Sequence, residues 1–206
     1  MKKLFLYITC VAVVAAMSGC GSKSEGENSG SSDSAQKPAT EQYKDIYTGD
    51  YDKSQTFIVI SKKDLKLTVY APVSGDTLPV AQFPVCLSRN KGQKEKAGDM
   101  RTPESEPGKP FTIKQIQNAS DWHHDFGDGR GDILAYGNWF LRLETPFSGI
   151  GIHGSTNNEN TVPGRDSEGC IRLRDADIIT LKENYAYVGM PVIIKAEDQG
   201  PLPFEK

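Results

Sequence analysis

Two short stretches in the last third of the chain hold residue types that together perform acyl transfer. One is Ile150-Gly151-Ile152-His153-Gly154; the other, beyond a polar loop, is Ser167-Glu168-Gly169-Cys170-Ile171-Arg172. A thiol attacks a carbonyl only as thiolate. A neighbouring imidazole supplies that form by taking the proton, since the two reference pKa values, about 6.5 and about 8.5, are close. Gly154 and Gly169 remove Cβ bulk beside both groups, and the backbone N–H groups of Gly169 and Cys170 are candidates to meet a developing oxyanion. The pattern assigns His153 as base and Cys170 as nucleophile.

Other residues invite chemistry less directly. The stretch from Asp121 to Asp132 concentrates His and Asp but lacks the spacing and the twelfth-position Glu of a calcium loop. It is expected to be a solvated or substrate-lining loop, with a metal site as the lesser alternative. Trp122, Trp139 and Phe147 are expected in the core or cleft wall, and Arg142 and Arg165 as solvated charges that could instead meet acidic groups. Cys86 follows an apolar run and reads as buried packing. A Cys86–Cys170 disulfide is its alternative, and it would consume the nucleophile.

The elements that must position His153 and Cys170 are strands. The loop 155–166, rich in Asn, Gly and Pro, can set two strand ends side by side. Residues 56–60 and 65–70 form β-rich runs around a Lys62-Lys63-Asp64 turn, which predicts a hairpin. Further strands are expected at 79–87, 111–116, 132–143 (two, broken near Gly137-Asn138), 149–153, 169–173 and 191–195, with Gly or Pro in nearly every gap. One helix is predicted over about 176–187, capped by Asp175 or Asp177 and ended by Gly189 and Pro191. Ile178, Ile179, Leu181, Tyr185 and Val188 recur on it near helical spacing. The fold class is therefore mainly β, as in sandwiches and barrels, over residues 56–195, with one late α-helix and a tail at 196–206.

The amino end has a different character. Lys2-Lys3, an apolar run from Leu4 to Met17 and then Ser18-Gly19-Cys20 make residues 1–19 a secretory signal, too short for a stable membrane span. Residues 20–50 read as a flexible linker, without an aromatic as far as Thr40, and 41–55 as transitional. The whole chain of 206 residues carries a net charge of −3, which argues against a nucleic-acid binder, because that needs clustered Lys and Arg. Four cysteines, with no CxxC pair and no zinc spacing to His, exclude a disulfide scaffold and a zinc finger. Met17-Ser18-Gly19-Cys20 resembles a bacterial lipobox, with Met17 where Leu is usual. That resemblance implies diacylation of Cys20 and an extracytoplasmic protein held on a bacterial membrane, on the periplasmic side; ordinary signal cleavage is the alternative.

His153-Gly154 followed by Ser167-Glu168-Gly169-Cys170-Ile171-Arg172 resembles the signature of the L,D-transpeptidase (YkuD-type) catalytic domain. The stretch Lys94 to Glu104, with Thr102-Pro103-Glu104, resembles that family's Thr-Pro-Glu turn. The resemblance implies the sandwich-like form of the mainly β fold. It also implies that Cys170 attacks the carbonyl of a peptidoglycan tetrapeptide stem and holds the acyl group as a thioester, releasing D-Ala. An amine of another stem then accepts the acyl group. His153 would be its base, oriented by the backbone carbonyl of Gly154 or Ser155; Ser167 and Gly169 would shape the turn and oxyanion site. Arg172 would support a substrate carboxylate or the loop, and no metal or organic cofactor is implied. Two departures are visible. Glu168 stands where many members carry an aromatic or basic residue, and Ser105 to Pro110 form an insertion that could reshape a loop near the cleft. The alternatives are an L,D-carboxypeptidase, with water as acceptor, and a non-catalytic lipoprotein that binds wall polymer.

Overall fold

The computed structural model describes residues 42–205, all within the compact unit Lys37–Lys206. The expected signal at 1–19, Cys20 and the linker up to residue 41 lie outside the described residues. Strands follow the β-branched and aromatic runs: β1 Lys44–Asp45, β2 Phe57–Ser61, β3 Lys66–Val73, β4 Asp76–Pro84 and β5 Cys86–Ser88. Next come β6 Phe111–Asn118, β7 His123–Asp125, β8 Asp132–Leu134, β9 Trp139–Glu144 and β10 Gly151–His153. The last are β11 Gly164–Ser167, β12 Ile171–Arg172 and, after helix α1 (Asp175–Asn184), β13 Pro191–Lys195.

Eleven strands form one sheet in the order β1-β4-β3-β2-β13-β6-β9-β10-β12-β5-β11, and β7 pairs with β8 separately. Only Val85 separates β4 from β5, yet the two strands lie near opposite ends of that order. One residue spans about 3.3 Å. The sheet must therefore curl until its two ends face one another, and one apolar cluster fills the space between them. Ile58, Leu67 and Phe83 from one side meet Leu87, Ile152 and Ile171 from the other, with Ile178 and Leu181 of α1. Each such side chain contributes about 1.5–3 kcal/mol on leaving water. The expected mainly β, sandwich-like fold with one late helix is what the chain adopts.

Differences from the sequence reading have local causes. The run 79–87 is two strands, because the chain changes sheet partners at Val85. Strands β1, β7 and β11 are additional; they are short and polar, without alternation long enough to read. The helix ends at Asn184, and Val188 lies beyond it, exposed. Neither aspartate caps α1. The Asp175 N–H instead donates to Glu159 Oε1 at 2.7 Å, from a different loop, which frees the Asp175 carboxylate for another use.

The packed domain also extends past its expected ends. Tyr43 stacks on Phe83 at 4.8 Å, and β1 pairs with β4. In the tail, Phe204 meets Phe57 and Tyr70 edge-on. The Thr102-Pro103-Glu104 turn is pinned by Lys62, which is fully buried. Its ammonium donates to Gly92 O, Thr102 O and Glu104 Oε1 at 2.7, 3.0 and 2.7 Å. All three donors are used, the condition under which a buried ammonium is tolerated.

Candidate active site

Strands β10 and β12 run parallel, with Ile152 opposite Ile171 and His153 opposite Arg172. Side chains alternate along a strand. Ile152 and Ile171 are buried in the core, so His153 and Arg172 point to the other face. Cys170, two positions before Arg172, shares that face. An open cavity of about 570 Å³ lies there, and both His153 and Cys170 line it.

The imidazole is fixed on three sides. Its Nδ1–H donates to Gly154 O at 2.7 Å, while the rings of Tyr136 and Phe140 flank it at 4.8 and 5.4 Å. A carbonyl oxygen only accepts, so the proton sits on Nδ1 and Nε2 keeps its lone pair. Burial, and then the Arg172 charge, push the His153 pKa down to about 3. The imidazole is thus neutral and able to accept a proton at physiological pH.

Cys170 is half-buried, and its thiol donates to Gly149 O at 3.2 Å. Burial pushes the thiol pKa up and Glu168 adds to the effect; Gly151 N–H and the Arg172 and Arg142 charges oppose it. The resting pair is therefore a neutral thiol and a neutral imidazole, and the thiolate forms when the proton moves.

The residues expected to orient the site do so in ways the sequence left open. Of the two candidate carbonyls for His153, Gly154 provides it. The Gly154 N–H donates to Tyr136 O, and a Cβ there would lie 2.5 Å from Asp175 Oδ1 and 2.7 Å from Gly137 Cα; glycine is a requirement of space. Ser155 N–H and Thr156 Oγ1 both donate to the Asp175 carboxylate, at 2.7 and 2.6 Å. Asp175, read from the sequence as a helix cap, thus braces the loop that follows His153. Ser167 Oγ donates to Cys170 O at 2.6 Å and accepts from Gly169 N–H at 3.2 Å. The Gly169 N–H, one of the expected oxyanion donors, is met here by the Ser167 hydroxyl, which folds back into the turn. Gly169 is required by its φ of +147° and by Arg101 O, 2.9 Å from where a Cβ would be.

Arg172 is 2% exposed. Its Nη2 donates to Asp166 O at 3.1 Å, its Nη1 is ion-paired with the Asp166 carboxylate at 3.6 Å without a hydrogen bond, and its guanidinium covers the Phe126 ring. Arg142 lines the cavity and is held by Gln117 Oε1 at 3.1 Å. Arg165 is elsewhere, paired with Glu197 and donating to Lys62 O. Trp122 lines the cavity and Trp139 does not; Lys182 covers the Trp139 ring. Phe147 packs under Lys94. Cys86 is buried, and its sulfur and that of Cys170 are both free.

The stretch 121–132 forms the β7–β8 hairpin, whose Trp122, His123, His124 and Phe126 wall the cavity. Arg130 ties the hairpin to Asn157 O and Asn158 Oδ1. His124 Nε2 lies 3.4 Å from Glu168 Oε2. Among the described residues no group of three His, Cys, Asp or Glu is gathered as a metal site. Tyr136, Phe140 and Asp175 were not legible as site residues, because nothing in their local sequence marks them as neighbours of residue 153.

A family model described as the L,D-transpeptidase catalytic domain (YkuD) matches residues 55–194. The chain belongs to the YkuD L,D-transpeptidase family. Solved structures align with the chain at low identity. The helical cell shape determining protein Pgp2 of Campylobacter jejuni, in a mutant form, aligns with TM-score 0.51 and 20% identity over 76% of this chain and 52% of its own. An L,D-transpeptidase from Mycobacterium smegmatis aligns with TM-score 0.49 and 18% identity over 69% of this chain and 59% of its own. Bd1075 of Bdellovibrio bacteriovorus aligns with 0.48 and 20%, over 68% and 47%. The chain thus spans about half the length of these structures. No curated protein matches the sequence. Within this YkuD domain the insertion 105–110 stays out of the cavity lining. Ser105 N–H donates to Ile194 O, and none of residues 105–110 lines the cavity.

Proposed function

We propose that this protein is a peptidoglycan-remodelling L,D-transpeptidase working through a Cys170 thioester. The observation that carries the reading is the His153 Nδ1–Gly154 O bond, which leaves Nε2 as the free ring nitrogen beside a cavity that Cys170 shares. The Cys170 proton passes to Nε2 as sulfur bonds the stem carbonyl. The C–N bond to D-Ala then breaks, the leaving amine takes the proton from His153, and a thioester remains. An acceptor amine attacks that thioester, expels the sulfur and returns a proton to it. The Arg172 guanidinium, which lines the cavity, suits a donor carboxylate or the loop that holds Asp166.

The test is intact-mass analysis of the full chain after exposure to a defined tetrapeptide muropeptide. The wild-type protein should gain the acyl mass on Cys170, and Cys170→Ala should gain none. His153→Ala should acylate slowly and recover at raised pH, where the thiolate forms unaided. With an added amine, a cross-linked product means transfer, whereas tripeptide alone means an L,D-carboxypeptidase. An active Cys170→Ala protein would remove the mechanism.

The same reading holds the chain outside the cytoplasm. Residues 1–19 are removed, Cys20 carries the lipid, and the following residues tether the domain to the membrane. Fatty-acid labelling that persists in Cys20→Ala would overturn the anchor.

A further inference from the structure

The cavity wall is sorted by charge. Lys94, Arg142 and Arg172 line it, and among the described residues Glu168 is the one carboxylate that does. The three cations have work of their own. Lys94 is paired with Asp99 at 2.7 Å, Arg142 is held by Gln117, and the buried Arg172 is tied to Asp166, through its backbone oxygen at 3.1 Å and its carboxylate at 3.6 Å. Glu168 is different. Among the described residues its one side-chain partner is the His124 imidazole, at 3.4 Å, and its side chain is 40% exposed. Charge-assisted hydrogen bonds are usually about 2.7–2.9 Å, so the carboxylate is not saturated. It stands two positions from Cys170 and is close enough to raise the thiol pKa and that of Tyr136. That is a cost to nucleophile activation, and nothing in the acylation half of the reaction repays it.

The second half does. An alkyl amine with a pKa of about 10.4 arrives at neutral pH as an ammonium. We propose that Glu168 is the residue that selects the acceptor: its carboxylate draws a cationic amine to the thioester on Cys170 and so favours transfer over hydrolysis. The proposal rests on the thioester reading above. The bound ammonium gives one proton to bulk water; its nitrogen then bonds the thioester carbon as the C–S bond breaks. The remaining extra proton passes through His153 Nε2 to the departing sulfur. Water carries no charge and gains nothing from Glu168.

The experiment uses the full-length protein, a defined tetrapeptide donor and two amine probes at one neutral pH. Nα-acetyl-lysine amide is cationic there, and methoxyamine is uncharged. In Glu168→Gln the acceptor KM for the lysine derivative should rise by about fivefold, the size of a partly exposed ion pair, while that for methoxyamine stays put. Glu168→Asp should recover part of the loss. His124→Ala, which leaves the carboxylate in place, should raise the KM for the cationic probe less than Glu168→Gln does. Equal effects on both amines, no effect on either, or a rise in His124→Ala matching that of Glu168→Gln would overturn the assignment and leave Glu168 as a latch for the β7–β8 hairpin. Absence of an adduct in the wild-type protein would sink the thioester reading and this inference with it. An adduct with an unchanged KM for the cationic amine in Glu168→Gln sinks the inference alone.

Discussion

His153 can serve as a base at neutral pH because the protein refuses it a charge. The ring is 3% exposed, and burial together with the Arg172 guanidinium holds its pKa near 3. The refusal has a stability consequence. Above about pH 6.5 the imidazole is neutral in both folded and unfolded chains and contributes nothing. Between that pH and about 3 the unfolded chain binds a proton that the folded one does not, so stability falls as pH falls. At pH 5 the loss from this group should be about 2 kcal/mol. His153→Gln keeps a donor for Gly154 O and has no such proton. Chemical denaturation at pH 7 and pH 5 should show the variant gaining on the wild type by that amount. A difference that does not change with pH would mean the imidazole is not held neutral. The pair His153 and Cys170 was legible in the sequence, because residue type and flanking glycines are chemistry written locally. The engagement of Gly169 N–H by Ser167 was not, since a hydroxyl that folds into its own turn leaves no periodic signal.

The loops that carry the site are fixed by polar groups whose partners are distant in sequence. Asp175 opens α1 yet binds Ser155 and Thr156. Lys62, in the turn after β2, binds the backbone at Gly92 and Thr102 and the Glu104 carboxylate. Strand periodicity located β2 and β3 to within a residue or two at most ends. It could not tell Lys62 from the neighbouring Lys63, because only the path of the chain decides which lysine faces inward. Asp99 is a similar organiser. Burial alone would raise its pKa, but Lys94 and the N–H groups of Glu95, Lys96 and Arg101 hold the carboxyl well below the usual range. Lys62→Met would strand three acceptors, one of them charged and largely shielded. Removing one partner of a buried ion pair costs about 3–5 kcal/mol. The expected outcome is a lowered denaturation midpoint, along with faster amide exchange across residues 92–104. Unaltered exchange there would show that the turn is held by other contacts, such as the reciprocal Ser88–Thr102 hydrogen bonds.

At the scale of the molecule the two ends of the sheet need protection as much as the core needs filling. An exposed strand edge invites pairing with another chain, and short, charged edge strands discourage it. One end of the order is β1, two residues long and carrying Lys44 and Asp45; the other is β11, carrying Arg165 and Asp166. The sequence concealed the role of β1, because a two-residue strand has no alternation and its tyrosines sit in a polar stretch. Yet Tyr43 stacks on Phe83, bonds Tyr185 through its hydroxyl at 3.0 Å, and packs with Tyr47 and Tyr51 against the core. A chain beginning at residue 52 would lose these contacts and leave the longer β4 as the edge. Removing partial burial of three rings should cost about 3 kcal/mol, which for a domain of this size corresponds to a Tm lower by roughly 6–12 °C. None of residues 43–51 lines the catalytic cavity, so acylation of Cys170 should survive in the fraction that stays folded. Light scattering should rise with protein concentration in the truncated protein and stay flat in the intact one. A truncated protein that melts at the same temperature and remains monomeric would show that the segment merely rests on the domain, and that the edge of β4 is protected by its own geometry.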